Sequence, residues 1–136
     1  MKKSYPAKLE NLGAIAADIE SFCASNGLED MCFQINLCVE EVFANCVEYG
    51  YSKDSSKSVE IEIAKRENCV EIFVRDTAPA FNPLSDVAPP DLTSNIEDRK
   101  VGGLGVFFLR KNMDRLSYRR VGGVNELMMA KNIHPK

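Results

Sequence analysis

In the first half of this chain the hydrophobic period changes once, and that change limits what it can fold into. Between residues 9 and 47 apolar side chains recur at steps of three or four: Leu9, Leu12, Ile15, Ile19, Phe22 and Cys23, then Ile35, Val39, Val42, Phe43, Cys46 and Val47. Residues so spaced share a helical face, which predicts amphipathic helices over about 9–25 and 31–49. Asn26-Gly27 and Gly50 supply the stops, and Glu29-Asp30 puts acidic groups where the second helix begins. After the polar loop 51–58 the period becomes two. Val59, Ile61 and Ile63 alternate with Glu60 and Glu62, and Val70, Ile72 and Val74 alternate with Glu71, Phe73 and Arg75. Arg66-Glu67-Asn68 can join the two runs as an antiparallel hairpin. A sheet with one apolar face, and helices with apolar faces to cover it, predict a two-layer α/β sandwich.

Residues 77–101 hold four of the six prolines and show no period. A connection of that length in a small domain reads as a lid or binding loop. It runs into Gly102-Gly103-Leu104-Gly105, which opens an apolar helical stretch from Val106 to Met113. Strands are predicted at Arg115–Arg120 and Asn125–Lys131, joined through Gly122-Gly123.

Composition removes several functions. The 136 residues suit one domain, 1–136. Seventeen basic against twenty acidic residues give a net charge of −3, which argues against a direct nucleic-acid partner. No apolar run reaches the ~18 residues of a membrane span. The stretch Met1–Pro6 lacks the apolar segment of a signal peptide, so a cytoplasmic protein without membrane contact is expected. The single histidine, His134, speaks against a His-centred triad, a multi-His metal site and a phospho-accepting core histidine. The five cysteines (Cys23, Cys32, Cys38, Cys46 and Cys69) are odd in number and contain no C-x-x-C pair, so buried reduced thiols are expected.

Three segments carry chemistry. Glu41 and Asn45 stand at i and i+4, one above the other on a helix. Glu41 can act as a base, and Asn45 offers an amide oxygen to a hard cation such as Mg²⁺. Asp76 ends an apolar strand, where its carboxylate can accept from an exocyclic amine. Gly102-Gly103-Leu104-Gly105 precedes a helix, where glycines and free N–H groups let a backbone approach phosphates. No G-K-[ST] follows, so it is not a Walker loop, nor does it open the first turn of a parallel sheet.

Taken in order, Glu41-x-x-x-Asn45, Asp76-x-Ala78 with Phe81-Asn82-Pro83, and Gly103-x-Gly105 resemble the three nucleotide boxes of the Bergerat-fold (GHKL) ATPases. The run Val101–Asp114 and the ending from Tyr118 to Asn125 resemble the branch of small single-domain anti-sigma-factor serine/threonine kinases. The resemblance extends from about Leu9 to Lys131. It implies an α+β fold, a mixed and mostly antiparallel sheet covered on one face by helices, with an ATP lid at about 84–101. ATP and Mg²⁺ are the implied cofactors. Glu41 would be the general base toward a substrate hydroxyl, Asn45 the Mg²⁺ ligand and Asp76 the acceptor from the adenine amino group. Ala78 and Phe81, in the second box, would be further nucleotide-binding positions. Gly102, Gly103, Leu104 and Gly105 would hold the phosphates, with Lys100, beside Arg99, near the γ-phosphate. The implied partners are a STAS-type anti-sigma-factor antagonist as phosphate acceptor, a sigma factor that is sequestered, and a second copy in a homodimer.

Two positions depart from the pattern. The second box usually reads Asp-x-Gly, and Ala78 replaces that glycine; a positive φ there would cost on the order of 1 kcal/mol. Met128 falls where the family often has a threonine that helps bind adenine. Both motivate the alternative of a non-catalytic, nucleotide-dependent binding switch of the same fold.

Overall fold

The computed structural model describes residues 1–52, 54–82, 84 and 103–133. Strand β1 is Lys2–Pro6, followed by helices α1 (Leu12–Ser25) and α2 (Cys32–Asn45), each entered through a short 3₁₀ turn. Strands β2 (Ser58–Lys65) and β3 (Cys69–Asp76) come next. Helix α3 (Gly103–Asn112) and strands β4 (Arg115–Val121) and β5 (Val124–Asn132) complete the order. Apart from Leu84, the expected lid lies outside the described residues, and so do Arg99, Lys100, Gly102 and His134.

Among the described residues the sheet runs β1-β2-β3-β5-β4, and its four pairings are all antiparallel, not mixed as the resemblance implies. Its inward rows carry Val59, Ile61, Ile63, Val70, Ile72, Val74 and Met129, which pack with Ile15, Ile19, Ile35, Val39 and Phe43 from the helices. Burying each such side chain contributes about 1.5–3 kcal/mol. The fold is the two-layer α+β sandwich that the change of period implies.

Strand β1 has no counterpart in the sequence reading. It is an edge strand on β2, and only Tyr5 of its side chains is buried, so it carries no alternation to read. The Tyr5 hydroxyl donates to Asp18 of α1 at 2.7 Å, tying this edge to the helical layer. Two glycine turns fall where expected. Gly27 takes φ +68° after α1, and Gly122-Gly123 takes φ +59° and +78° between β4 and β5, the pattern of a tight two-residue hairpin turn.

The second helix ends earlier than its apolar pattern suggests. Regular α-geometry stops at Asn45, and Cys46–Gly50 form a wider π-type turn closed by Tyr51 N–H donating to Cys46 C=O at 2.8 Å. Such wide turns often mark functional sites. Here the turn sets Cys46 against the end of β3. It also carries Tyr51 to the loop after that strand, where the phenol accepts from Thr77 N–H at 2.7 Å and donates to Ser58 C=O at 2.8 Å.

Candidate nucleotide-binding site

The C-terminal part of α2, the wide turn, the end of β3, residues 78–81, α3 and the β4–β5 pair enclose a cavity of about 400 Å³. That is in the range of small-molecule sites. Val42, Val74, Ala78, Val106, Leu109 and Leu127 give it apolar walls, and Asn45, Asp76, Tyr118 and Asn125 bring polar groups to it.

Asp76 is the best-defined of these. Its Oδ1 accepts from Ala78 N–H at 3.0 Å and from Asn125 Nδ2 at 2.9 Å, while its Oδ2 accepts from the Cys46 thiol at 3.2 Å. A carboxylate has about four acceptor positions. Three are used, and the fourth, on Oδ2, can receive one more donor. Burial, then the Asp76 charge, push the Cys46 thiol well above the usual thiol range, so this neighbour stays a donor.

Asn45 also lines the cavity, and its side-chain amide makes no hydrogen bond among the described residues. Glu41 lies one turn earlier on the same side of α2, half-buried, without a hydrogen bond or ion pair among the described residues. Burial and then the charge of Glu40 raise its pKa above the ordinary carboxylate value. It is not among the residues that line the cavity itself. Gly103, Leu104 and Gly105 form the first turn of α3, whose Val106 and Leu109 reach the cavity. Phe81 lines it as well, half-exposed.

Two expectations are corrected. Ala78 has no positive φ, since Ser52 alone among the described non-glycine residues does. The strain expected from replacing glycine is therefore absent. Ala78 is buried, and its methyl packs toward Gly50, where an added Cβ would sit 3.4 Å away, at ordinary contact distance. Met128 does not face the cavity. It pairs with Phe73 on the outer side of the sheet, and Leu127, one residue earlier, lines the cavity instead. A shift of one residue along a strand exchanges its two faces.

Asn125, like Cys46, lines the cavity without a role assigned by the sequence reading. It stands directly across from Asp76 in the β3–β5 pairing and is buried. Its inward position, two and four residues before the core residues Leu127 and Met129, was the available signal, because a buried amide requires partners.

The family model of the histidine kinase-like ATPase domain matches residues 5–131 of this chain. The chain belongs to the histidine kinase-like ATPase family. It is similar to a serine/threonine-protein kinase of Bordetella bronchiseptica (BtrW), with 26% identity over 76% of this chain and 72% of the relative. It is also similar to serine-protein kinases named RsbW. One from Bacillus subtilis is 24% identical over 94% of this chain and 82% of the relative. One from Bacillus cereus is 28% identical over the same shares.

The cavity suits what such an ATPase domain handles. Apolar walls with a single spare acceptor on Asp76 fit a flat base bearing an amino group. Among the described residues no three His, Cys, Asp or Glu side chains group to cage a metal. Mg²⁺ bound with a nucleotide does not need such a cage, because phosphates and water fill most of its shell. The unpaired amide of Asn45 fits the one protein oxygen then required. Among the described residues no helix is long and apolar enough to cross a membrane.

Proposed function

We propose that this chain is an ATP- and Mg²⁺-dependent protein serine/threonine kinase of the anti-sigma-factor type. The observation that carries this reading is the convergence on one cavity of Asp76 and Asn45, with the unpaired carboxylate of Glu41 one helical turn from Asn45. The names of the similar serine-protein kinases support it.

Asp76 accepts from the adenine amino group, while Val42, Val74 and Leu127 exclude water around the ring. Asn45 would hold Mg²⁺ through its amide oxygen. Mg²⁺, when bound with ATP, offsets the charge that develops on the transferred phosphoryl group. Gly103, Leu104 and Gly105, at the start of α3, receive the phosphates; Gly102, Lys100 and the lid expected at about 84–101 are proposed to complete that end of the site, and all but Leu84 of them lie outside the described residues. Glu41 takes the proton of the acceptor hydroxyl as its oxygen bonds to the γ-phosphorus and the bridge to ADP breaks. The raised pKa of Glu41 makes it a better base than an exposed glutamate. The acceptor is a serine or threonine of a STAS-type anti-sigma-factor antagonist, and a dimer of this chain sequesters the sigma factor until that antagonist displaces it.

A second reading keeps the nucleotide and the partners but not the transfer. It draws on the place of Glu41 outside the cavity lining. Incubation with Mg²⁺, ATP and a STAS-type antagonist separates the two. Phosphate on a serine or threonine of the antagonist, located by mass spectrometry, supports the kinase. Nucleotide-dependent capture of the antagonist without any phosphate supports the switch.

A further inference from the structure

The Cys23 and Cys32 thiols meet where α1 hands over to α2. Eight residues separate the two cysteines, and backbone hydrogen bonds fix the turn between them. Leu28 N–H donates to Cys23 C=O at 2.9 Å across Gly27, whose φ of +68° lets the chain turn back after α1. Met31 N–H then donates to Leu28 C=O at 3.1 Å, and a 3₁₀ turn over Glu29–Met31 leads into Cys32, the first residue of α2. Leu28 and Met31 are buried in the core, which holds this connection against the helices. Cys23 is buried too, and the half-buried Cys32 packs on the same core. The two thiols are close enough to share a hydrogen bond, and the Asn36 amide donates to Cys32 Sγ at 3.6 Å, which steadies that sulfur. Burial, then the hydrogen bond and charge of Cys32, push the Cys23 thiol up to about 12, so Cys23 stays protonated.

We propose that Cys23 and Cys32 are an oxidisable dithiol, a modification site at which hydrogen peroxide joins α1 to α2 through a reversible disulfide. Cys32, the more exposed thiol, reacts first. Its sulfur attacks one peroxide oxygen, the O–O bond breaks, and the departing hydroxide takes up the thiol proton as water. The Cys23 sulfur then attacks the sulfenic sulfur of Cys32. The S–S bond forms, the S–O bond breaks, and the Cys23 proton leaves with the hydroxide as a second water. Two thiols lose two electrons and the peroxide gains them. The surroundings select the oxidant. Between Leu9 and Gly50 stand eight acidic residues and no basic one, and the charges of Glu29 and Glu20 reach Cys23. A neutral peroxide crosses that field freely, whereas an anionic disulfide such as oxidised glutathione is repelled. The pair sits at the opposite end of α2 from Asn45 and outside the cavity lining, so it is independent of the nucleotide reading.

The test treats the reduced full chain with hydrogen peroxide at pH 8, blocks the remaining thiols with N-ethylmaleimide and maps its peptides without reduction. A Cys23–Cys32 linked peptide, two hydrogens lighter than the thiol pair and lost on adding dithiothreitol, is expected. In Cys23→Ser the reaction should stop at the Cys32 sulfenic acid, trapped by dimedone, and in Cys32→Ser no linkage of Cys23 should form. Cys32 is the less buried of the two, so its variant keeps the test decisive if Cys23→Ser does not fold. The disulfide should raise the melting temperature by about 5 °C or more, because it closes a loop in the unfolded chain. Oxidised glutathione at the same concentration should link the pair at least about threefold more slowly in low salt, and the gap should narrow in high salt. No linked peptide from folded wild type, preferential linkage of either cysteine elsewhere, or a disulfide that lowers the melting temperature overturns the dithiol. Equal rates with the two oxidants in low salt overturn the assignment to peroxide.

Discussion

The Cys46 thiol donates to Asp76 Oδ2 across 3.2 Å, joining the wide turn after α2 to the end of β3. The Cys46 residue is half-buried, but its thiol is desolvated and set against a carboxylate, so it resists ionisation, and the thiolate is the reactive form. Iodoacetamide at pH 8 should therefore label Cys32 and Cys69, which are half-buried like Cys46 but donate to no carboxylate, well before Cys46, as read by peptide mass spectrometry. Cys46→Ala removes the donor without adding bulk, and it should cost about 1–3 kcal/mol in urea unfolding.

On the outer face of the sheet one guanidinium holds three carboxylates. Arg75 Nη1 lies 2.7 Å from Glu60 and 2.8 Å from Glu62, and its Nε lies 2.7 Å from Glu126. Burial works to raise the Glu126 pKa, but hydrogen bonds from Arg75 and Arg119 outweigh it and hold the pKa below the ordinary value. A depressed carboxylate contributes stability above its unfolded pKa of about 4.3, and that stability is lost as pH falls through the folded value. Arg75→Met should cost about 2–3 kcal/mol at pH 7, with three carboxylates left facing one another. Thermal melts should show the gap between variant and wild type narrowing below about pH 4 as those groups take up protons.

Glu41 behaves in the opposite sense. Its raised pKa means that the ionised form opposes folding once pH exceeds the folded value, and the penalty disappears as pH falls below the unfolded one. Glu41→Gln should raise the melting temperature at pH 8 and leave it unchanged near pH 4. Glu40→Gln removes the nearby like charge, so it should move the pH dependence of phosphate transfer toward lower pH. A Glu41→Gln protein no more stable than wild type at pH 8 would contradict the burial of that carboxylate.

The fold was legible wherever one face of an element is apolar and the other polar. Ile15, Ile19 and Cys23 mark the buried face of α1, and the rows of β2 and β3 read directly. Legibility failed where that contrast is missing. Strand β1 buries only Tyr5. In β5, Asn125, Glu126 and Leu127 are buried in succession because the strand lies between β3 and β4, so its two faces look alike and its register slipped by one residue to Met128. Of the site, Asp76 and Asn45 were readable as boxes. Asn125 and Cys46 were not, because they meet Asp76 only through pairing and turn geometry distant in sequence.

The most direct measurement follows γ-labelled ATP in Mg²⁺ with a STAS-type antagonist, for wild type and Glu41→Gln side by side, with ATP affinity measured on both. The kinase reading expects label on a serine or threonine of the antagonist. It also expects a transfer rate at least about a hundredfold lower in Glu41→Gln, the usual scale for losing a general base, with ATP affinity within about threefold. Transfer at the wild-type rate by Glu41→Gln, or no transfer by wild-type protein that binds both ATP and the antagonist, would contradict it.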